Sequence, residues 1–341
     1  MNSFGVPDLE ARMTMPAITD TDLERMREQL LFAGPQAARK LSRYWVLLSL
    51  AAVIATAGIV ADSTATVIGA MIVAPLMTPI LGTVLSVMTG DRANLARSLA
   101  LVAGGVVAVV GIAWLLALLV PIDVVADTNA QVAARVHPRL IDLVAAIATG
   151  AVGSFALVRS DVSDTLPGVA IAISLVPPLA VVGLTLEAGA RGQASGAMLL
   201  FLTNVGAILL TGLVVMAIYR VTATAAAEAG PFSLKRPRAV VAVLVFVLVL
   251  VIPLTASTRR ITTESIQRSD AEAAAIVWAD PSGWRIVTVD ADRAGIRIRA
   301  AGPLPSPDPA DLRAALDDRG LDDVDVVVEL VPEERVELPG S

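Results

Sequence analysis

Seven apolar runs follow one another between positions 44 and 257: 44–61, 63–89, 98–120, 140–158, 166–186, 194–219 and 238–257. Each is close to the ~20 residues a helix needs to cross a ~30 Å hydrocarbon core. Most lack any charge, and Asp142 sits near the start of the fourth. Core helices of ordinary length in a water-soluble protein do not repeat this pattern seven times. The charge distribution agrees. The chain is 55% hydrophobic and only 17% charged, against about 25% charged in soluble domains. Positions 1–43 hold 6 Lys/Arg and 6 Asp/Glu, positions 44–254 hold 10 and 9, and positions 255–341 hold 10 and 17. A middle of 211 residues with 19 charges cannot present a water-facing surface.

The expected architecture is an all-α polytopic membrane bundle of about seven transmembrane helices, with a small acidic α+β domain after it. The expected boundaries are an N-terminal region over 1–43, a membrane domain over 44–257, and a soluble domain over 258–341. The first 13 residues, MNSFGVPDLEARM, have neither the basic start nor the short apolar stretch of a secretory signal peptide. There is no cysteine, and His137 is the sole histidine. Disulfides, thiol catalysis and His- or Cys-rich metal sites are therefore excluded.

Before the first run, Thr19 or Asp20 can cap a helix on which Leu23, Met26 and Leu30 share one face. That helix either lies on the membrane or a neighbouring element, or stands in solvent. Gly34-Pro35 interrupts it, and Tyr44-Trp45 forms an aromatic pair of the kind found at membrane interfaces. Lysine and arginine in the flanks give orientation. With the N-terminus inside and seven crossings, the inner flanks hold 12 (Arg25, Arg27, Arg39, Lys40, Arg43, Arg92, Arg97, Arg159, Arg220, Lys235, Arg236, Arg238) and the outer flanks 6 (Arg135, Arg139, Arg191, Arg259, Arg260, Arg268). The bias places the N-terminus in the cytoplasm and the C-terminal domain outside. In that domain, 285–290 and 295–300 alternate like strands, as does 324–331. The stretch 309–319 reads as a helix with Asp308 as N-cap, Pro309 at its first position and Gly320 after it. Asp317, Asp318, Asp322 and Asp323 read as a solvated helix end, with no metal site assigned.

Shifting the chain by 102 positions superposes landmarks: Asp62 on Asp164, Val67 on Val169, Ala70 on Ala172, Pro75 on Pro177, Gly90 on Gly192 and Gly104 on Gly206. This predicts two repeat units, 44–120 and 140–220, followed by a final span over 238–257. Three crossings per unit would invert the second unit relative to the first, as in many transporters whose broken helices meet near the midplane. The prolines supply the break. Pro75 and Pro79 lack an N–H and so release the carbonyls of Met71 and Pro75; Pro177 and Pro178 do the same for Ile173 and Ser174. Unpaired carbonyls are tolerated at membrane depth only inside protein or beside a wet cavity.

Candidate pathway residues are thus Pro75, Met77, Thr78, Pro79, Ser174, Pro177, Pro178 and Asn204. Asp62, Asp164 and Glu187, at the ends of runs, are candidate gating acids. The competing interpretations are kinked packing helices for the prolines, a helix–helix hydrogen bond for Asn204 and solvated ends for the acids. Gly69, Gly82, Gly104, Gly150 and Gly153 are expected at close helix approaches.

The stretches IGAMIVAPLMTPILG (68–82), LVPPLAVVG (175–183) and LFLTNVGAILL (200–210), with AIATGAVGSFAL (146–157), resemble the bacterial and archaeal membrane family called domain of unknown function 389. The resemblance covers most of 44–220. It implies a multispanning inner-membrane protein and no particular activity. Some members of that family carry a larger region before the first span, where this chain has about 43 residues.

The leading functional expectation is a transporter or channel for a small solute or ion. The alternative is a non-transporting scaffold or sensor acting through the C-terminal domain. An intramembrane enzyme is disfavoured, because His–Glu–x–x–His, a Ser/His pair in the spans and Gly-x-Gly-Asp are all missing. Nucleic-acid binding is disfavoured by the acidic balance. Expected partners are the lipid bilayer, a small solute or ion, and further copies of the chain; no cofactor is expected.

Overall fold

The computed structural model describes residues 19–159, 175–219, 221, 237–292 and 295–333. The chain divides into two compact units, 1–255 and 256–341.

The first unit is helical. Helix α1 (Asp20–Leu30) starts from a capping box: Thr19 accepts from the Asp22 N–H while Asp22 accepts from Thr19, which satisfies two otherwise orphaned donors. Its apolar stripe, Leu23, Met26 and Leu30, is buried against the bundle. The helix therefore docks on its neighbours α4 and α7 rather than standing in solvent. Helix α2 (Ala37–Val60) follows, then α3 (Thr64–Val73), α4 (Met77–Thr89), α5 (Arg92–Ala117), the short α6 (Ala130–Val136), α7 (Leu140–Val158), α8 (Val176–Glu187) and α9 (Arg191–Ile218). Helix α10 (Pro237–Ala279) begins in this unit and ends in the next. Among the described residues five helices, α2, α5, α7, α9 and α10, are long and apolar enough to cross a membrane, and six spans result if α3 and α4 count as one bent span. Exposed Leu99, Val107, Leu115, Leu118 and Leu119 on and just after α5 are the side chains lipid would cover.

Close helix approaches are made where glycine leaves room. A Cβ on Gly183 of α8 would lie 2.5 Å from the Val110 carbonyl of α5, one on Gly105 would lie 2.5 Å from the Tyr44 hydroxyl, and one on Gly150 of α7 would lie 2.5 Å from Thr211 Oγ1 of α9. Gly82 and Gly104 also meet neighbours, at 3.0 and 3.2 Å, but Gly69 faces open space and holds no helix close. Tyr44 departs from the interfacial role its pairing with Trp45 predicted. It is 2% exposed, donates to the Leu101 carbonyl at 2.8 Å and packs edge-on against Phe32. Phe32, in the link after α1, packs on it, and the Gly105 notch admits its hydroxyl.

In the second unit, β1 (Arg285–Asp292) pairs antiparallel with β2 (Gly295–Gly302), and β2 pairs parallel with β3 (Val326–Pro332), in the order β1-β2-β3. Helix α11 (Pro309–Asp317), capped by Asp308 through the Ala310 N–H, makes the crossover. Ile296, Ile298 and Ala300 face Leu312, Leu316, Trp278 and the alanines near the end of α10. Trp278 and Trp284 each donate their indole N–H to a carbonyl, of Asp308 and Pro303.

Candidate functional site

The site begins at a break in the third apolar run. Ser63 caps α3 by accepting from the Thr66 N–H. The helix stops at Val73 because Pro75 disfavours helical geometry in the residue before it, and Ala74 is extended, with ψ 125°. Helix α4 restarts at Met77 with Pro79 in its first turn, where a missing N–H costs nothing. Its axis is turned 42° from that of α3. This corrects one expectation: Pro79 does not leave the Pro75 carbonyl unpaired, because the Thr78 N–H donates to it at 3.2 Å. Pro177 and Pro178 likewise occupy the first turn of α8. Pro79, Pro177 and Pro178 thus sit in first turns.

Beneath this break lies a cavity of about 590 Å³, within the range of small-molecule sites. Its floor is Met71 through Pro75 with Met77, Thr78 and Leu81. One wall comes from α1 and the link after it, including Arg25, Glu28, Gln29 and Phe32. A second comes from Lys40, Arg43, Tyr44 and Leu47 of α2, and a third from Gly153, Ala156 and Leu157 of α7. The walls therefore carry three cationic groups and one carboxylate.

Backbone carbonyls fix the cations. Arg25 donates to the Leu157 and Val158 carbonyls at the C-terminal end of α7, at 3.2 and 3.4 Å, and lies 3.6 Å from Asp22. Lys40 donates to the Leu31 carbonyl at 3.1 Å and to that of Glu28. Cations at helix C-termini oppose the negative end of the helix dipole, so these contacts clamp α1 across the bundle. Arg97 adds a hydrogen bond to the Phe32 carbonyl at 3.0 Å. The Asp22 carboxyl titrates below its ordinary value, chiefly because the Thr19 hydroxyl donates to it.

Of the candidate residues, Pro75, Met77 and Thr78 line the cavity. Pro79 is buried in α4, and Pro177 and Pro178 are buried in α8. Asn204 is 4% exposed within α9 and takes no part in the cavity wall. Asp62, at a left-handed φ of 50°, accepts from the Gln131 N–H at 3.0 Å at the start of α6. Glu187 ends α8 and is half-buried. Ser174 and Asp164 lie outside the described residues, as does all of the stretch 168–174. The cationic wall of Arg25, Lys40 and Arg43 was not among the candidates, since those residues entered only as orientation signals. The one sequence cue to it was the apolar stripe of α1 followed by Gly34-Pro35, which requires the helix to fold back onto something.

The model of the family described as Domain of unknown function (DUF389) matches residues 71–210, a stretch that starts at the cavity floor and ends within α9. An uncharacterised protein of Methanocaldococcus jannaschii is 30% identical over 225 residues, covering 64% of this chain and 69% of that protein. No solved structure matches.

Proposed function

The chain belongs to the DUF389 family, and from that premise, which brings no activity with it, we propose a membrane transporter or channel for a small solute or ion. The observation that carries this reading is the cavity whose floor is the break between α3 and α4. Breaking a helix inside an apolar bundle exposes backbone groups that lipid cannot satisfy. Placing that break at the floor of a half-open cavity gives those groups water or a ligand.

The packing supports the inverted repeat. Helix α4 packs on α5 of its own unit and on α9 of the other, while α8 packs on α9 of its own unit and on α5 of the other. The first unit reads as long helix, broken pair, long helix in α2, α3–α4 and α5; of the second, α7, α8 and α9 lie among the described residues. The 42° bend falls far short of the reversal that a re-entrant loop needs, which favours counting α3–α4 as one crossing. Seven crossings result if α8, a shorter apolar helix of 12 residues, is counted as belonging to another. On this count and the arginine–lysine bias, the protein sits in the plasma membrane with its N-terminus and the cavity mouth cytoplasmic and its C-terminal unit outside.

Purified protein reconstituted into liposomes should move at least one member of a panel of inorganic ions, organic acids, amino acids and sugars faster than protein-free liposomes. Absence of flux across the panel, with protein shown to be folded and inserted in both orientations, would overturn the proposal.

A further inference from the structure

We infer that the cavity binds a small oxyanion of phosphate, sulfate or carboxylate type, either free in solution or as the head of an anionic lipid. This deepens the proposed transport, on which it rests for what becomes of the ligand after binding. The floor alone does not choose a sign, because the C-terminal end of α3 and the N-terminal end of α4 both meet it and their dipoles oppose. The walls choose. Arg25, Lys40 and Arg43 face the cavity against the single carboxylate of Glu28.

Two of these cations are held by backbone carbonyls. A helix C-terminus offers about half an elementary charge, so it cannot neutralise a guanidinium or ammonium, and the remainder stays available to a ligand. Asp22, at 3.6 Å from Arg25, offsets one of them in part. Arg43 is exposed and makes no hydrogen bond or ion pair among the described residues. Arginine and lysine in an inner flank would also arise from membrane orientation alone. A flank residue of that kind extends to the headgroups, whereas Arg25 and Lys40 are half-buried and bonded to carbonyls of α7 and α1.

The floor adds a matching donor. Thr83 and Thr89, on the same helix, donate their hydroxyls to the carbonyls four residues back, each at 2.9 Å. Thr78 has no such bond among the described residues, because the break carries the carbonyl of Ala74 out of helical register. Its hydroxyl is left to the cavity, where a phosphate or carboxylate oxygen would accept from it.

The test is binding, read independently of flux. Full-length protein in neutral detergent is titrated with inorganic phosphate and with sulfate against chloride at matched ionic strength, and its melting temperature is followed. A second arm compares nanodiscs of phosphatidylglycerol with nanodiscs of phosphatidylcholine. Stabilisation by phosphate or sulfate in detergent identifies a free oxyanion; stabilisation only by phosphatidylglycerol identifies a lipid head. In either case Arg43→Gln should weaken binding about ten- to a hundredfold, as loss of one charge-assisted hydrogen bond would. Thr78→Val should weaken it severalfold without lowering the melting temperature of the unliganded protein. The inference is overturned if neither anion nor anionic lipid stabilises the protein, or if Arg43→Gln binds as tightly as the native chain. Oxyanion binding without flux of any solute would sink the proposed transport alone, and cation flux without oxyanion binding would sink this inference alone.

Discussion

Replacing Gly183 with alanine tests the seam between α8 and α5. The new Cβ would lie 2.5 Å from the Val110 carbonyl oxygen, 2.6 Å from Ala113 Cβ and 2.9 Å from the Trp114 nitrogen. Optimal carbon contacts are about 3.5–4.0 Å, so the two helices must separate by about 1 Å. None of the three atoms is the end of a flexible side chain that could rotate aside. Leu179, Val109 and Ala113, all fully buried, would lose part of their packing with the shift. Overpacking of this kind costs about 1–3 kcal/mol. Alanine in a helix also gains about 1 kcal/mol over glycine, which Gly69→Ala isolates, because nothing lies within 4 Å of its added methyl. The difference between the two variants is therefore the clash itself. At roughly 2–4 °C per kcal/mol for a unit of this size, Gly183→Ala should melt roughly 2–12 °C below Gly69→Ala in a detergent thermal-shift assay. Equal melting temperatures would refute the described approach of α8 to α5.

Two further outcomes follow from the clamp on α1, and a third from the bond between α2 and α5. Arg25→Met removes the hydrogen bonds to the Leu157 and Val158 carbonyls; at about 1.5–3 kcal/mol for bonds to a charged group, amide exchange over 20–30 should accelerate about ten- to a hundredfold, and unchanged exchange would mean that the apolar stripe alone docks the helix. The Asp22 pKa is lowered in the folded chain from 3.8, so its stabilisation is present above that value and is lost as pH falls through the lowered one; protection of α1 should hold down to pH 3.8 and drop as the pH falls further, and Asp22→Ala should abolish that dependence. Tyr44→Phe removes a buried hydrogen bond to Leu101 and should cost about 1 kcal/mol in the same melting assay, whereas a loss within error would show that the hydroxyl is equally well satisfied elsewhere.

Run length and charge made the long helices legible, because crossing distance and desolvation constrain each segment locally. Capping chemistry was legible for the same reason: Thr19, Asp308 and Pro309 stand where their side chains or fixed φ are needed. What depended on residues far apart in the chain was not. The pairing of Tyr44 with Trp45 looks interfacial until Phe32, before the Gly34-Pro35 link, and the Leu101 carbonyl of α5 close on the tyrosine. Asp62 looks like a free acid until α6, some 70 positions later, offers the Gln131 N–H; α6 itself carries no strong period and was not foreseen. The cavity combines both cases. Its floor could be read from Pro75, Met77 and Thr78, but its cationic walls exist only because α1, α2 and α7 converge there. Pro75 does stand in the break between α3 and α4, yet the place of Pro79 in the first turn of α4, and of Pro177 and Pro178 in the first turn of α8, required the backbone.

The central claim is that the break between α3 and α4 opens to water from the side of the N-terminus. Because the chain has no cysteine, Thr78→Cys introduces a single thiol at the cavity floor, and Ala70→Cys, fully buried in α3, serves as control. A charged, membrane-impermeant thiol reagent should label Thr78→Cys in inside-out vesicles and not in right-side-out cells, and should leave Ala70→Cys unlabelled in both. A Thr78→Cys protein that is folded but inert to the reagent from either side, while a lipid-soluble reagent still reaches it, would contradict the account.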